Sequence, residues 1–360
     1  MDLRALRPYV WAFVLALFVP TSWALELIGV RGVPVFGAAA LGIIPLAWFM
    51  GLATEELGKH AGPGVGGLLN ATFGNATELI IALFALFSGL YDVVKASLTG
   101  SIIGNILLVL GLSMFVGGLR HRTQTFSREA SGIQTSMLLL AVIGLVMPDL
   151  YILSQDTTGQ PVSAPLLRSM SLGIAGILLA AYVLGLLFSL RTHRDIFNPV
   201  TEAAEKPRWS IRTSLLVLIA ATGFVALESE LLVGSIGDAQ AALGFTNLFV
   251  GVIIVAIIGN AAEHGSAVIM AFRNKMELSV AIATTSTTQI ALFVAPVLIF
   301  ASLLTSTLMT LDFEIFELVS IALATAVLAA VASDGRSNWY EGVLLIMVYA
   351  IVGVAFFYHP

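Results

Sequence analysis

The chain has no cysteine in 360 residues. That absence excludes a disulfide framework, thiolate metal sites and thiol chemistry. Charge is also scarce, at 11% of residues, where a soluble domain carries about a quarter. Histidine occurs five times, at His60, His121, His193, His264 and His359. These form no Ser/His/Asp cluster and no imidazole-rich metal motif, so the sequence does not read as an enzyme. The net charge of −5 is small and dispersed, which argues against a nucleic-acid partner. What remains is apolar: 58% of residues, with a mean hydropathy of +0.97. Such a chain cannot cover itself with polar groups in water. The expectation is an all-α integral membrane protein embedded in a lipid bilayer.

Eleven apolar stretches fit helical spans, at about 8–28, 33–53, 65–90, 93–118, 132–152, 167–190, 212–233, 246–272, 278–302, 313–333 and 341–358. The first, preceded by Arg4 and Arg7, has the flanks of a signal peptide. Its long apolar run and the lack of a small-x-small cleavage site favour a retained span. With the N-terminus in the cytoplasm and eleven alternating spans, 14 Lys/Arg residues fall inside and 3 outside (Arg31, Lys95 and Arg168). The positive-inside rule thus supports this count and orientation, with an external C-terminus, as in a prokaryotic inner membrane. Asp92, Asp149, Asp156, Glu228, Glu230, Asp238, Asp312, Glu314 and Glu317 make the outer side acidic. They serve either as a cation-concentrating mouth or as ordinary solvated loop ends.

The sequence repeats itself. Gly74-Asn75-Ala76-Thr77-Glu78 matches Gly259-Asn260-Ala261-Ala262-Glu263 at an offset of 185. Held without gaps from 66 to 101, the offset gives 11 identities in 36 positions, where composition alone gives roughly three. The repeat divides the chain. Residues 1–30 form an extra N-terminal helix and 31–190 a first five-helix repeat. Residues 191–211 are a polar cytoplasmic linker, and 212–360 a second five-helix repeat. Because five is odd, the second copy enters the membrane inverted. Inverted repeats with broken helices at mid-membrane are secondary-transporter architecture, with the shared motif marking the substrate site.

Glu78 and Glu263 read as the only carboxylates deep inside spans. A charge at mid-membrane costs about 3 kcal/mol even on lenient scales, so each needs a partner, a proton or a purpose. Asn75 and Glu78, like Asn260 and Glu263, stand at i, i+3 on one helical face. Gly74 and Gly259 loosen the helix there and offer backbone carbonyls. Two carboxylates, two amides and carbonyls compose an oxygen cage suited to a hard cation such as Ca²⁺. The carboxylates would also bind protons. The helices that follow add accessory polar groups: Ser101 and Asn105, on one face at i, i+4, in the first half, and Ser286, Thr288 and Gln289 in the second, with Ser101 and Ser286 related by the repeat offset. Small hydroxyls in spans also act as packing glue; of this set Gln289 has the longest reach towards an ion. His264 adjoins Glu263, but neighbouring helix positions point about 100° apart, which favours packing or a hydrogen bond over a ligand or relay role.

These motifs resemble the cation/proton exchanger family of the calcium/cation antiporter superfamily. The resemblance rests on Asn70-Ala-Thr-Phe-Gly-Asn-Ala-Thr-Glu78, Ser97-Leu-Thr-Gly-Ser-Ile-Ile-Gly-Asn105 and Gly259-Asn-Ala-Ala-Glu-His264. It extends to Asn274-Lys-Met-Glu277 and Gln289-Ile-Ala-Leu-Phe293 and covers essentially the whole chain. It implies a Ca²⁺/H⁺ antiporter of eleven helices without a cofactor, with Glu78, Glu263, Asn75 and Asn260 binding the metal. One departure stands out: Thr285-Ser-Thr-Thr-Gln289 replaces the family's usual Gly-Ser-Ser-Thr-Gln. No long regulatory tail is present, so a soluble autoinhibitory domain is not expected. Composition does not separate H⁺ from Na⁺ coupling, nor does it exclude self-association. A cation channel is the other class; it needs a continuous pore, whereas one acidic site in an inverted repeat suits alternating access.

Overall fold

The computed structural model describes residues 10–156, 162–197 and 207–359. Arg4, Arg7 and residues 198–206 of the polar linker lie outside the described residues. The fold is a helical bundle. In chain order its helices are α1 (Val10–Leu27) and α2 (Val33–Ala61), α3 (Pro63–Phe73) and α4 (Ala76–Phe87), α5 (Tyr91–Arg120), α6 (Arg128–Asp156) and α7 (Ala164–Thr192). Next come α8 (Ile211–Gly234) and the short α9 (Ile236–Leu243), α10 (Asn247–Phe272) and α11 (Met276–Leu304), α12 (Ile315–Val331) and α13 (Trp339–Tyr358).

Among the described residues, nine helices are long and apolar enough to cross a membrane; α4 and α12 are shorter apolar helices. Their starts reflect local chemistry. Ser210 caps α8 by accepting from the Thr213 amide, and Thr246 caps α10 through Phe249. Glu314 with Glu317, and Asn338 with Glu341, form capping boxes on α12 and α13.

Burial sorts the helices. The apolar window of α5 is 72% buried and that of α1 only 11%, so α5 is central and α1 peripheral. Outward residues such as Leu17, Ile177, Leu184, Ile219 and Ile351 are large, apolar and exposed, the surface that faces lipid. At the centre α5 and α10 cross at close range. A Cβ on Gly100 would collide with the Val252 carbonyl, and one on Gly251 with the Ala96 side chain. Small residues at such a crossing let backbones touch.

The bundle's two ends differ. At one end β1 (Gln124–Thr125) pairs antiparallel with β2 (Arg336–Ser337). Gln124 donates to the Ala271 carbonyl, Ser127 N–H donates to Glu277, and the Arg120 guanidinium lies 4.4 Å over the Phe272 ring. At the other end Lys95 donates to Asp312 Oδ1 at 2.7 Å and Tyr91 to the Thr307 carbonyl at 2.9 Å. Phe313 N–H donates to Asp149 there as well. Basic residues mark the first end, acidic ones the second.

Two helices carry π-helical turns at matching places. Gly104–Val109 interrupts α5 and Ile290–Val294 interrupts α11, positions related by the offset of 185. A π-turn adds a residue to the helix, rotates the turns beyond it and is frequent at functional sites.

One expectation from the sequence needs correction. Glu78 and Glu263 are not the only carboxylates placed deep in helices. Glu56, Glu228 and Glu317 are also buried, at 1%, 0% and 2% exposure. Glu228 and Glu317, read as acidic loop residues, sit inside α8 and α12. Each has found nearby hydrogen-bond partners: Glu56 accepts from Lys59 and the Trp209 amide, Glu228 is bonded to Ser22, and Glu317 accepts from Thr99 and the Glu314 amide. Satisfying a carboxylate locally is what lets it leave the surface.

Candidate functional site

The two motifs meet at the middle of the bundle, but their backbones differ. In the first, the helix is broken: α3 ends at Phe73 and α4 begins at Ala76, with Asn75 at φ −98°, ψ 19°. In the second, α10 runs through Gly259 and Asn260 unbroken. The expected loosening at the glycine therefore occurs at Gly74 and not at Gly259. The distortion near the second motif sits one turn earlier, as the π-turn Val250–Val255.

Each glycine makes room for the opposite glutamate. A Cβ on Gly74 would stand 3.0 Å from Glu263 Oε1, and one on Gly259 would stand 3.4 Å from the Glu78 Cβ. The hydroxyls cross in the same way. Asn260 Nδ2 donates to Ser101 Oγ at 2.9 Å, and Ser286 Oγ donates to Asn75 Oδ1 at 2.8 Å. Each half's asparagine is thus held by the other half's serine.

The carboxylates are left open. Glu78 is 1% exposed, and neither of its oxygens has a hydrogen-bond partner; Glu263 Oε2 has none either. The polar neighbours of Glu78 are Ser101, Asn260 and the Glu263 carboxylate itself; that of Glu263 is Ser286. Buried acceptors without donors are rare and call for an explanation, such as an ion or a proton.

A chain of hydrogen bonds surrounds the pair. His264 Nε2 meets Asn105 Oδ1 at 3.1 Å; since that oxygen only accepts, the imidazole donates. Asn105 Nδ2 donates to Ser286 Oγ at 3.0 Å, and Asn75 Nδ2 to Gln289 Oε1 at 2.6 Å. Five of the expected accessory residues, Ser101, Asn105, Ser286, Gln289 and His264, are therefore brought together. Thr288 is not: its hydroxyl lies within hydrogen-bond distance of Gln134 Oε1 and the Thr284 carbonyl, on the side of α11 facing α6. His264 acts through a hydrogen bond to Asn105, as its position beside Glu263 suggested. Asn105 and Ser101 were expected on one face. Ser101 instead meets Asn260 while Asn105 meets Ser286, because the π-turn starts at Gly104 and rotates the helix from there onward.

A cavity of about 380 Å³ reaches this place, lined among others by Glu55, Asn70, Gly74, Glu263, Ser286 and Gln289. It runs along the end of α2, the start of α11 and the last turns of α10, so it opens at the basic end. Glu263 lines it and Glu78 does not. No motif pointed to Glu55, which is 60% exposed at the mouth and paired with Lys59 at 2.7 Å. Sequence reasoning also missed Glu317, whose bond to Thr99 at 3.0 Å lies on the acidic side of the site; its one signal was the Glu-x-x-Glu spacing of a capping box. Among the described residues, no group of three or more His, Asp or Glu side chains gathers as in a resident metal centre. The available oxygens are two carboxylates, amides and hydroxyls.

Comparison with known proteins gives the family and the fold. The profile of the family described as "Sodium/calcium exchanger protein" matches residues 32–191 and 213–358. The chain is 46% identical to a Ca(2+)/H(+) antiporter of Synechocystis over 367 aligned residues, covering 96% of this chain and 97% of that protein. It is 45% identical to the Ca(2+)/H(+) antiporter ChaA of Bacillus subtilis, covering 97% and 99%. The solved structure of native YfkE superposes with a TM-score of 0.84 at 42% identity, covering 96% of this chain and 99% of that one. Full-length relatives, a shared helical architecture and the doubled motif lead to one assignment: the chain belongs to the sodium/calcium exchanger protein family.

Proposed function

We propose that this protein exchanges Ca²⁺ for H⁺ across a membrane by alternating access, at one central site built from Glu78 and Glu263 with Asn75 and Asn260. The observation that carries the reading is the pair of buried motif carboxylates, one from each half, with three of their four oxygens lacking any hydrogen bond. The names of the full-length relatives point to the same ions.

Charge explains the coupling. Two glutamates carry −2 together; one Ca²⁺ neutralises that, and so do two protons. Moving the empty, doubly charged site through a closed intermediate carries a desolvation cost of several kcal/mol per ion. Switching is therefore favoured when the site holds metal or protons and disfavoured when it is empty, which is obligatory exchange. Glu55 at the cavity mouth draws cations inward, and Asn70 and Gln289 line the way to Glu263.

The layout we propose for this cycle has eleven spans. The broken pair α3–α4 counts as one, and α12 joins the nine long helices. An extra helix, 1–30, precedes inverted repeats 31–190 and 212–360. Support comes from the family profile matching each half separately, at 32–191 and 213–358, and from the paired π-turns. The basic end then faces the cytoplasm, and the cavity makes this an inward-open arrangement. Its outer side is closed by Lys95–Asp312, Tyr91–Thr307 and Thr99–Glu317.

Two experiments test this. Ca²⁺ uptake into sealed vesicles is measured with a pH gradient or a Na⁺ gradient imposed separately. Uptake driven by the pH gradient alone is expected; uptake driven only by Na⁺ would reassign the coupling ion. For topology, single cysteines at Thr192 and Tyr358, both exposed, should label with impermeant reagent from opposite faces. Labelling from one face would refute the eleven-span layout.

A further inference from the structure

One buried carboxylate has no part in the Ca²⁺/H⁺ exchange. Glu228 lies on α8 with no exposed surface, at the point where α1, α2 and α8 meet. Ser22 of α1 approaches it with its hydroxyl 2.9 Å from Oε1 and 2.8 Å from Oε2. The same hydroxyl stands 2.7 Å from the Val19 carbonyl. Gly42 of α2 closes the third side, where an added Cβ would stand 3.3 Å from Glu228 Oε2 and 3.2 Å from the Val19 side chain. A side chain at residue 42 would make the carboxyl or Val19 give way, so glycine suits this slot.

Counting hydrogens decides the state of the group. Ser22 Oγ carries one hydrogen, yet it stands at hydrogen-bond distance from three oxygens. The Val19 carbonyl and an ionised Glu228 would compete for that one hydrogen, leaving three contacts served by a single donor. With Glu228 protonated there are two hydrogens: the carboxyl O–H donates to Ser22 Oγ, and Ser22 makes the usual back-bond of a serine to its own helix. The protonated form therefore satisfies this cluster of oxygens better than the ionised one.

Among the described residues, no nearby cation offers an alternative. The titratable groups on the elements packed here are Glu26 on α1, and Glu55, Glu56, Lys59 and His60 at the far end of α2. The others are Glu78 on α4, Asp238 on α9, and Arg212 and Glu230 on α8 itself, with Arg31 ahead of α2. None of them pairs with Glu228; among the described residues its polar neighbours are Ser22 and the Trp23 indole. Removing the proton would leave a buried charge between three apolar helices with two neutral donors and no cation, a state that burial disfavours.

We propose that Glu228 is a second proton-binding site, separate from the motif glutamates, where a proton shared with Ser22 holds α1 against α2 and α8. The ligand is H⁺. Loss of this proton releases the peripheral helix, which has few buried contacts of its own, from the two helices that open each repeat.

Infrared difference spectroscopy of the purified full chain at neutral pH tests the proposal. Wild type minus Glu228→Gln should show the carbonyl band of a protonated carboxyl. That band should persist in the Glu78→Gln/Glu263→Gln variant and shift in Ser22→Ala, which removes its partner. Loss of a carboxylate band instead, or a band that ignores Ser22→Ala, would overturn it. The docking role is read separately in this cysteine-free chain. Ala12, fully buried on α1, is replaced by Cys and labelled with a membrane-permeant thiol reagent. After correction for thiol ionisation, labelling should rise with pH in the otherwise wild-type chain and stay level when Glu228→Gln is added. Equal pH dependence in both backgrounds would contradict the docking role. Ca²⁺ uptake by Glu228→Gln should be retained, in contrast to the motif glutamates.

Discussion

The two Gly-Asn-x-x-Glu motifs are near-copies in sequence and unequal in structure. Glu78 stands just after a break in its helix, is enclosed and has no hydrogen-bond donor on either oxygen. Glu263 sits in an unbroken helix and lines the cavity that opens at the basic end. The asparagines differ likewise. Asn75 uses both ends of its amide, accepting from Ser286 and donating to Gln289. Asn260 is bonded through Nδ2, to Ser101 and to the Ala256 carbonyl; in the proposed site its oxygen is the one offered to a cation. The inverted-repeat, alternating-access cycle proposed above accounts for this: with one side open the two copies differ, and their states exchange on switching.

The largest effects should come from the carboxylates themselves. Glu78→Gln and Glu263→Gln should each abolish pH-driven Ca²⁺ uptake while the protein still folds, and each should weaken Ca²⁺ binding by roughly 100-fold, about 2.7 kcal/mol. Near-normal uptake by either variant removes that residue from the site. If only one were needed, the motifs would be unequal in function as well as in conformation.

The glycines should rank next, and unequally. Gly74→Ala places a methyl group 3.0 Å from Glu263 Oε1 and 2.7 Å from the Asn70 carbonyl. That overpacking should cost about 1–3 kcal/mol and raise the Ca²⁺ dissociation constant about tenfold or more. Gly259→Ala meets Glu78 at an ordinary 3.4 Å and should change affinity by less than about twofold in this state. Equal effects in a binding titration would contradict the asymmetry.

A smaller split is expected for the serines. Ser286→Ala cuts the chain between Asn105 and Asn75 and leaves buried amide groups unpaired, about 1–3 kcal/mol. Ser101→Ala leaves Asn260 its bond to Ala256 and should cost about 1 kcal/mol or less. Thermal denaturation with and without Ca²⁺ separates the two.

The smallest effect concerns the closed acidic end. Burial alone would raise the Asp312 carboxyl, but the Lys95 ammonium and the Thr310 hydroxyl override it and hold the group below its ordinary range. A carboxylate whose folded pKa is depressed contributes stability above its unfolded pKa and loses it as pH falls through the folded one. Asp312→Asn should therefore lower the melting temperature at neutral pH, and the difference should vanish in acid. Asp312 is partly exposed, so solvent screening limits the effect to about 1 kcal/mol or less. A difference that grows on acidification would contradict the ion pair's role.

Much of this was legible in the sequence because a membrane simplifies the code. Apolar length located the helices, the offset of 185 paired the motifs, and the cost of a charge in lipid singled out Glu78 and Glu263. Other features depend on three dimensions. Periodicity is blind to a π-turn, so the separation of Ser101 from Asn105 was hidden. Gly74 and Gly259 stand in the same local sequence, and only packing decides that one breaks its helix. Glu228 and Glu317 looked like loop residues because their hydrogen-bond partners, Ser22 and Thr99, lie 206 and 218 residues away in sequence.

The central claim is that one pair of carboxylates binds either metal or protons, and calorimetry of Ca²⁺ binding to the purified protein tests it most directly. Titrations in buffers of different ionisation enthalpy count the protons released per Ca²⁺ bound, between about pH 5.5 and 8, a range above the reference carboxyl value. Shared carboxylates predict proton release on binding and an affinity that falls as the pH is lowered, with release reduced in whichever of Glu78→Gln and Glu263→Gln still binds. Ca²⁺ binding without proton release, at an affinity constant across that range, would contradict the claim and place the proton route elsewhere in the molecule.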